Sequence, residues 1–235
     1  MERNIAVTAD GKTATTLVPG DAASNALIAQ PVLGVVAAPP IRALVLGLSM
    51  SAGPSGDSNT HFARKGVDDP FTAALWSVDP ATGKGVLVEH GDYDTAEWAV
   101  DLAGEARVRL QVDQNTHRFS ILGRAKGARI HSPVWSGDPE SHRSYHGYSV
   151  PDDGVYVGED GGIVLKRLAD GQTRPVGHKG GALNPTLVWD QVRQTAVGVK
   201  TQAEKPAIEW LDPEVGAVHA SLSKAFAGKV VNLSN

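Results

Sequence analysis

Residues 74–89, ALWSVDPATGKGVLVE, decide how the chain is read. Ala74 to Val78 is an apolar run ending in Trp76, Ser77 and Val78, residues that suit a half-buried pleated strand. Asp79-Pro80-Ala81-Thr82-Gly83 then supplies turn chemistry in order. The Asp side chain can hold backbone N–H groups, the Pro presets φ, and the Gly accepts positive φ. Gly85 to Glu89 comes back as a second strand. The stretch is a β-hairpin, and the rest of the chain repeats its formula.

Working outward, Ile5 to Thr8 and Ala14 to Val18 flank a turn at Asp10-Gly11. Pro31 to Ala37 and Ile41 to Leu48 are Val- and Leu-rich strands on either side of Pro39-Pro40. Further strands are read at Glu97–Asp101, Ala106–Val112, Arg118–Leu122, Val155–Gly158, Ile163–Leu168, Thr173–Val176, Thr186–Trp189, Thr195–Lys200, Ala207–Leu211 and Lys229–Leu233. In Ala106–Val112, Arg107, Arg109 and Gln111 alternate with Val108, Leu110 and Val112, which predicts one wet and one dry face. Small, polar and Gly- or Pro-rich composition makes 49–69 and 130–153 long loops. One helix is expected at about 213–227. Asp212 caps it, Pro213 takes its first position, Glu214 favours its N-terminal dipole and Gly228 stops it. Val215, Val218, Leu222, Ala225 and Phe226 recur at helical spacing.

The strand-ending turns at Asp79, Asp170 and Asp212 are separated by 91 and 42 residues, two periods and one period of a repeat of about 40–45 residues. A four-stranded propeller blade has that length. About 14 or 15 strands match about four blades better than the seven or so of an immunoglobulin sandwich. The expectation is an all-β chain, a partial β-propeller forming a single domain over 1–235. A sandwich, a barrel and a β-solenoid are the alternatives.

Composition narrows function. The 235 residues carry a formal net charge of −4, and no basic cluster forms; Arg124, Lys126 and Arg129 are spread among small residues. A nucleic-acid partner is not expected, because phosphate binding needs concentrated Lys and Arg. With no cysteine in the chain, disulfides, thiolate metal sites and cysteine nucleophiles are excluded. Met1-Glu2-Arg3-Asn4 leads into a polar turn rather than a secretory signal. Residues 22–41 are uncharged, but Pro31, Pro39 and Pro40 fit strands and turns rather than a membrane helix. A soluble protein of the cytoplasm or periplasm is expected.

Five motifs could carry chemistry. Gly47-Leu48-Ser49-Met50-Ser51 approaches the Gly-x-Ser-x-Gly nucleophile elbow, but ends in Ser51 with no helix after it. His142 and His146 have the i, i+4 spacing of a zinc pair, with Glu140 or Asp138 as a third ligand, and would support a small metal-dependent hydrolase. They lack the intervening Glu, and Gly137, Pro139 and Gly147 argue against a helix there. Gly158-Glu159-Asp160-Gly161-Gly162 has calcium-like carboxylates but is too short for an EF-hand loop, so a hairpin turn is preferred. Lys179-Gly180-Gly181 lacks the rest of a phosphate loop. Trp76, Trp98, Trp189 and Trp210 lie in strands as core fillers; Trp135 and Tyr145, in the expected 130–153 loop, are candidates for ligand contact. None of these reaches a complete site, so no catalytic, cofactor or metal residue is assigned.

Leu75-Trp76-Ser77-Val78-Asp79-Pro80-Ala81-Thr82-Gly83-Lys84, with Val88-Glu89-His90-Gly91 and Asp94-Thr95-Ala96-Glu97-Trp98, resembles a propeller blade of prolyl-oligopeptidase-family serine peptidases, nearest the acylaminoacyl-peptidase-like bacterial branch. Gly198-Val199-Lys200, Glu204-Lys205-Pro206, Glu209-Trp210-Leu211-Asp212-Pro213-Glu214 and Lys224-Ala225-Phe226-Ala227-Gly228-Lys229 are similar to a segment late in that family's N-terminal propeller. The resemblance covers 71–235. It implies a non-catalytic propeller that gates peptide access to an α/β-hydrolase domain, whose nucleophile, acid and histidine all follow the propeller and lie outside these residues. The expected partners are that domain and, through it, a peptide. Open sheet edges would favour self-association. The alternative reading is a stand-alone binding or sensor protein.

Overall fold

A computed structural model describes residues 5–17, 31–50, 71–138, 145–177, 185–201, 207–229 and 231. The chain divides into two compact units, residues 1–140 and 141–235, each taken by itself below.

Unit 1 opens with the hairpin β1 (Ile5–Val7) and β2 (Ala14–Thr16). Two four-stranded antiparallel sheets follow. The first holds β3 (Val32–Val36), β4 (Arg42–Met50), β5 (Phe71–Val78) and β6 (Gly85–His90); the second holds β7 (Thr95–Val100), β8 (Ala106–Val112), β9 (Phe119–Gly123) and β10 (Ser132–Gly137). In both, each strand pairs with the next in sequence, an up-and-down antiparallel meander. Unit 2 continues the pattern with β11 (Tyr145–Ser149), β12 (Gly154–Glu159), β13 (Gly162–Arg167) and β14 (Thr173–Val176), then the three-stranded β15 (Thr186–Asp190), β16 (Thr195–Thr201) and β17 (Ala207–Trp210), and ends in α1 (Pro213–Ala225). The all-β class, the four-stranded antiparallel sheets and the helix near 213–227 are therefore as expected. The sheets starting at Val32, Thr95, Tyr145 and Thr186 begin 63, 50 and 41 residues apart, so only the last interval falls within the expected period.

Local chemistry explains the turns. Asp79 Oδ1 accepts the Ala81 N–H at 2.8 Å, and the Gly83 N–H reaches the Asp79 carbonyl at 2.7 Å. Gly83 has φ +72°, and a Cβ there would lie 2.2 Å from the Thr16 carbonyl oxygen, so glycine lets the β5–β6 turn approach β2. At the other end of the chain, Asp212 Oδ1 accepts from the N–H groups of Glu214 (2.8 Å) and Val215 (3.2 Å), as the cap was read. The helix rotates away from its expected apolar stripe, however. Gly216 and His219 face the Trp210 ring, which lies 5.1 Å from the imidazole, while Val218 and Phe226 are exposed.

Three expectations need correction. The stretch 130–153 is not one long loop, since it contains β10 and β11. Its Pro and Gly residues had suggested loop, but both strands are sheet edges, and Pro133 and Gly147 sit at irregularities of register where edge strands tolerate them. The other long loop, 49–69, begins later than expected, because β4 runs through Met50; its remainder lies outside the described residues. The wet face of Ala106–Val112 is also covered. Arg107 is 2% exposed, as closely buried as Val108 and Ile121. The strand expected at 229–233 falls largely outside the described residues.

The core of unit 1 lies where the first two sheets meet, with Leu44 and Leu75 against Trp98, Val100 and Ala106. A second cluster, Ala43, Val45 and Val78 with Leu17, joins the opposite face of the first sheet to the opening hairpin. In unit 2, Tyr156, Ile163, Leu165 and Val176 pack with Ala196 and Val199. No helix among the described residues is long and apolar enough to cross a membrane.

Candidate functional site

The arginine face of β8 builds the charged centre of unit 1. Glu89 on β6 gathers two donors from the neighbouring sheet, Trp98 Nε1 at 3.1 Å and Arg124 Nη1 at 3.0 Å, and the His131 imidazole lies 3.5 Å away. Beside it, Asp92 accepts from Gln111 Nε2 (2.7 Å) and Thr95 Oγ1 (2.7 Å), and pairs with Arg109 Nη2 at 3.4 Å. Burial, reinforced by Arg124, Arg109 and Arg107, pushes the His131 imidazole down to about 4; Glu89 only partly opposes this. The ring is neutral at pH 7, and its Nε2 is buried without a hydrogen bond. With its oxygens engaged by neighbouring side chains, Glu89 is not an open site. The cluster instead ties β6 to the second sheet, and sequence reasoning missed it because its members are spread over 42 residues.

Unit 2 offers the open site. A groove of about 580 Å³ runs beside the start of α1, lined by Asp152, Tyr156, Arg174, Arg193, Thr195 and Glu214 among others. Ser149 Oγ donates to Asp152 Oδ2 at 2.7 Å and lies 2.9 Å from Thr195 Oγ1, which is 3.3 Å from the Tyr156 hydroxyl. Asp152 also pairs with Arg174 Nη2 at 3.3 Å. Arg193 bridges Asp190 (2.5 Å) and Asp212 (2.6 Å), fixing the β15–β16 turn to the helix cap. The Arg193 hydrogen bond, then the Val215 N–H, holds the Asp212 carboxyl below its ordinary value. Ser149 is fully buried, which closes it to a substrate. The groove carries both charge signs, with Asp152 and Glu214 beside Arg174 and Arg193, while Tyr156 beneath it is only 2% exposed.

The motifs singled out in the sequence disperse. Gly47, Leu48 and Ser49 run in extended β4, with Ser49 paired to Thr72, so the backbone makes no sharp elbow. His142, Glu140 and Lys179-Gly180-Gly181 lie outside the described residues. His146 sits in β11, where burial lowers its pKa. Among the described residues no group of three His, Asp or Glu side chains is placed to hold a metal. Asp160 (φ +51°) and Gly161 (φ +76°) form a two-residue hairpin turn between β12 and β13, and Glu159 pairs with Lys166 at 2.5 Å. Trp135 belongs to β10 and packs against Phe119 with ring centroids 6.3 Å apart. Trp98 is a buried core residue, and Trp189 meets Tyr156 edge-on at 5.7 Å. Compared with known protein families and with curated proteins, the sequence matches none.

Proposed function

We propose that this chain is the non-catalytic propeller portion of a serine peptidase of the prolyl-oligopeptidase family, gating peptide access to an α/β-hydrolase domain outside these 235 residues. The observation that carries the reading is the succession of meander sheets, each strand beside its sequence neighbour, as in propeller blades. The family-like segments fall on those elements in order. Leu75–Lys84 forms the end of β5 and its turn, Asp94–Trp98 enters β7, and Glu209–Glu214 leads from β17 into α1. The test is hydrolysis of aminoacyl and peptidyl esters by the purified chain. No turnover is expected; turnover that disappears on Ser49→Ala would overturn the proposal.

The groove of unit 2 favours a second reading, a stand-alone binding or sensor protein. In that case a short peptide or a glycan binds the purified chain saturably, and Arg174→Ala weakens the binding. A chain that binds neither ligand removes this reading.

A further inference from the structure

Unit 1 holds a second cavity, of about 740 Å³, at one end of the seam between its two sheets. Its walls are the β3–β4 turn with Pro39 and Pro40, the β7–β8 turn with Leu102, and Val88 of β6. The lining is apolar except for Arg42 and Ser77. Strand register sets both on one face: Leu44 pairs with Ser77, and Arg42 lies two residues before Leu44 on the same strand.

The walls are held firmly. Asp101 Oδ1 accepts from the N–H groups of Ala103 (2.9 Å) and Glu105 (3.0 Å), locking the β7–β8 turn. Gly104 (φ +82°) lets that turn close on β3, since a Cβ there would lie 2.7 Å from Val36 Cγ2. Leu102 is thereby kept 50% exposed, and Val88, which also lines the cavity, is 43% exposed. A locked turn that presents leucine to water leaves apolar surface ready to be covered.

Arg42 supplies the charge. Among the described residues the only acceptor its guanidinium reaches is the carbonyl of Ile41, at 3.0 Å. Asp79 is the carboxylate that feels its field, but Asp79 Oδ1 is already engaged by the Ala81 N–H. Guanidinium carries five N–H donors in a fork that matches a carboxylate, and the Ser77 hydroxyl stands on the neighbouring strand. We infer that this cavity is a binding site for the carboxyl end of a short peptide with aliphatic side chains. The terminal carboxylate is held by Arg42 and Ser77, and the last side chains lie against Leu102, Val88 and the proline turn. A peptide fits better than a fatty acid because the apolar walls are half-exposed, and an acyl chain gains little without enclosure.

The inference is independent of the peptidase reading. The test is calorimetric titration of the full chain with acetyl-Ala-Ala-Leu as free acid and as amide, and with decanoate. The free acid should bind saturably, and the amide about 10- to 100-fold more weakly, the range of one charge-assisted contact. Arg42→Gln should weaken the free acid by a similar factor and leave the amide unchanged. Equal binding of acid and amide to the unaltered chain, tighter binding of decanoate than of the peptide, or no saturable binding in the millimolar range would each overturn it. The acid–amide comparison needs no variant, so it stands even where Arg42→Gln fails to fold.

Discussion

Replacing Gly147 by alanine tests how unit 2 is held together. Gly147 lies at a bulge in β11 with φ +129°, a conformation that L residues rarely adopt. A Cβ there would lie 2.2 Å from Trp189 Cζ2 and 2.7 Å from Cη2. The ring cannot move freely, because it packs edge-on against Tyr156 and lies against the unit 2 core. Backbone strain costs ~1–3 kcal/mol, and overpacking against the indole adds ~1–3 kcal/mol. With partial relaxation, Gly147→Ala should destabilise the chain by about 3–5 kcal/mol. Gly161→Ala separates the two terms: φ is +76° there, but no atom lies within 4 Å of the added Cβ, so ~1–2 kcal/mol is expected. Urea unfolding followed by tryptophan fluorescence reads both variants, with the slope checked for constancy. Equal losses in the two, or a Gly147→Ala chain within ~0.5 kcal/mol of the parent, would refute the reasoning.

Three further outcomes follow from the same contacts. Glu89→Ala strands Arg124 and the Trp98 indole N–H, and should cost about 2–4 kcal/mol in denaturant unfolding; the loss stays under the ~3–5 kcal/mol of a fully buried pair because the two side chains keep 18% and 22% of their surface exposed. His131, at about 4 in the folded chain against 6.5 for the free side chain, binds its proton more readily when unfolded. Its contribution is complete above about pH 6.5 and is lost as pH falls toward 4. The full loss is at most ~3 kcal/mol, less after solvent screening. Stability measured at pH 7, 5.5 and 4.5 should therefore fall more steeply in the parent than in His131→Gln. Asp212→Ala removes both the α1 cap and an Arg193 partner, so helical signal in circular dichroism should drop; an unchanged spectrum contradicts the capping role.

What was legible in the sequence was local. Asp79-Pro80 with Gly83, Asp160-Gly161 and Asp212-Pro213-Glu214 each carry their instruction within a few residues, because side-chain-to-backbone bonds and φ preferences act over that range. The alternation in Ala106–Val112 was legible too, but alternation only says that a strand has two faces. That a neighbouring sheet covers the arginine face depends on Glu89, Arg124 and His131, which the chain delivers from other strands. Pro133 and Gly147 misled for a related reason: the same residues mark a loop or an irregular edge strand, and pairing partners decide which. The Arg42 and Ser77 cavity depends on strand register, which short-range composition does not specify.

Gating can be measured by presenting this chain to an active hydrolase domain of the prolyl-oligopeptidase family and comparing kcat/KM for a dipeptide substrate with that for a folded, chain-length series of longer ones. The propeller reading predicts that turnover of the longer substrates falls steeply while the dipeptide is little affected. An unchanged ratio across the series, with association of the two proteins verified by sedimentation, would contradict it.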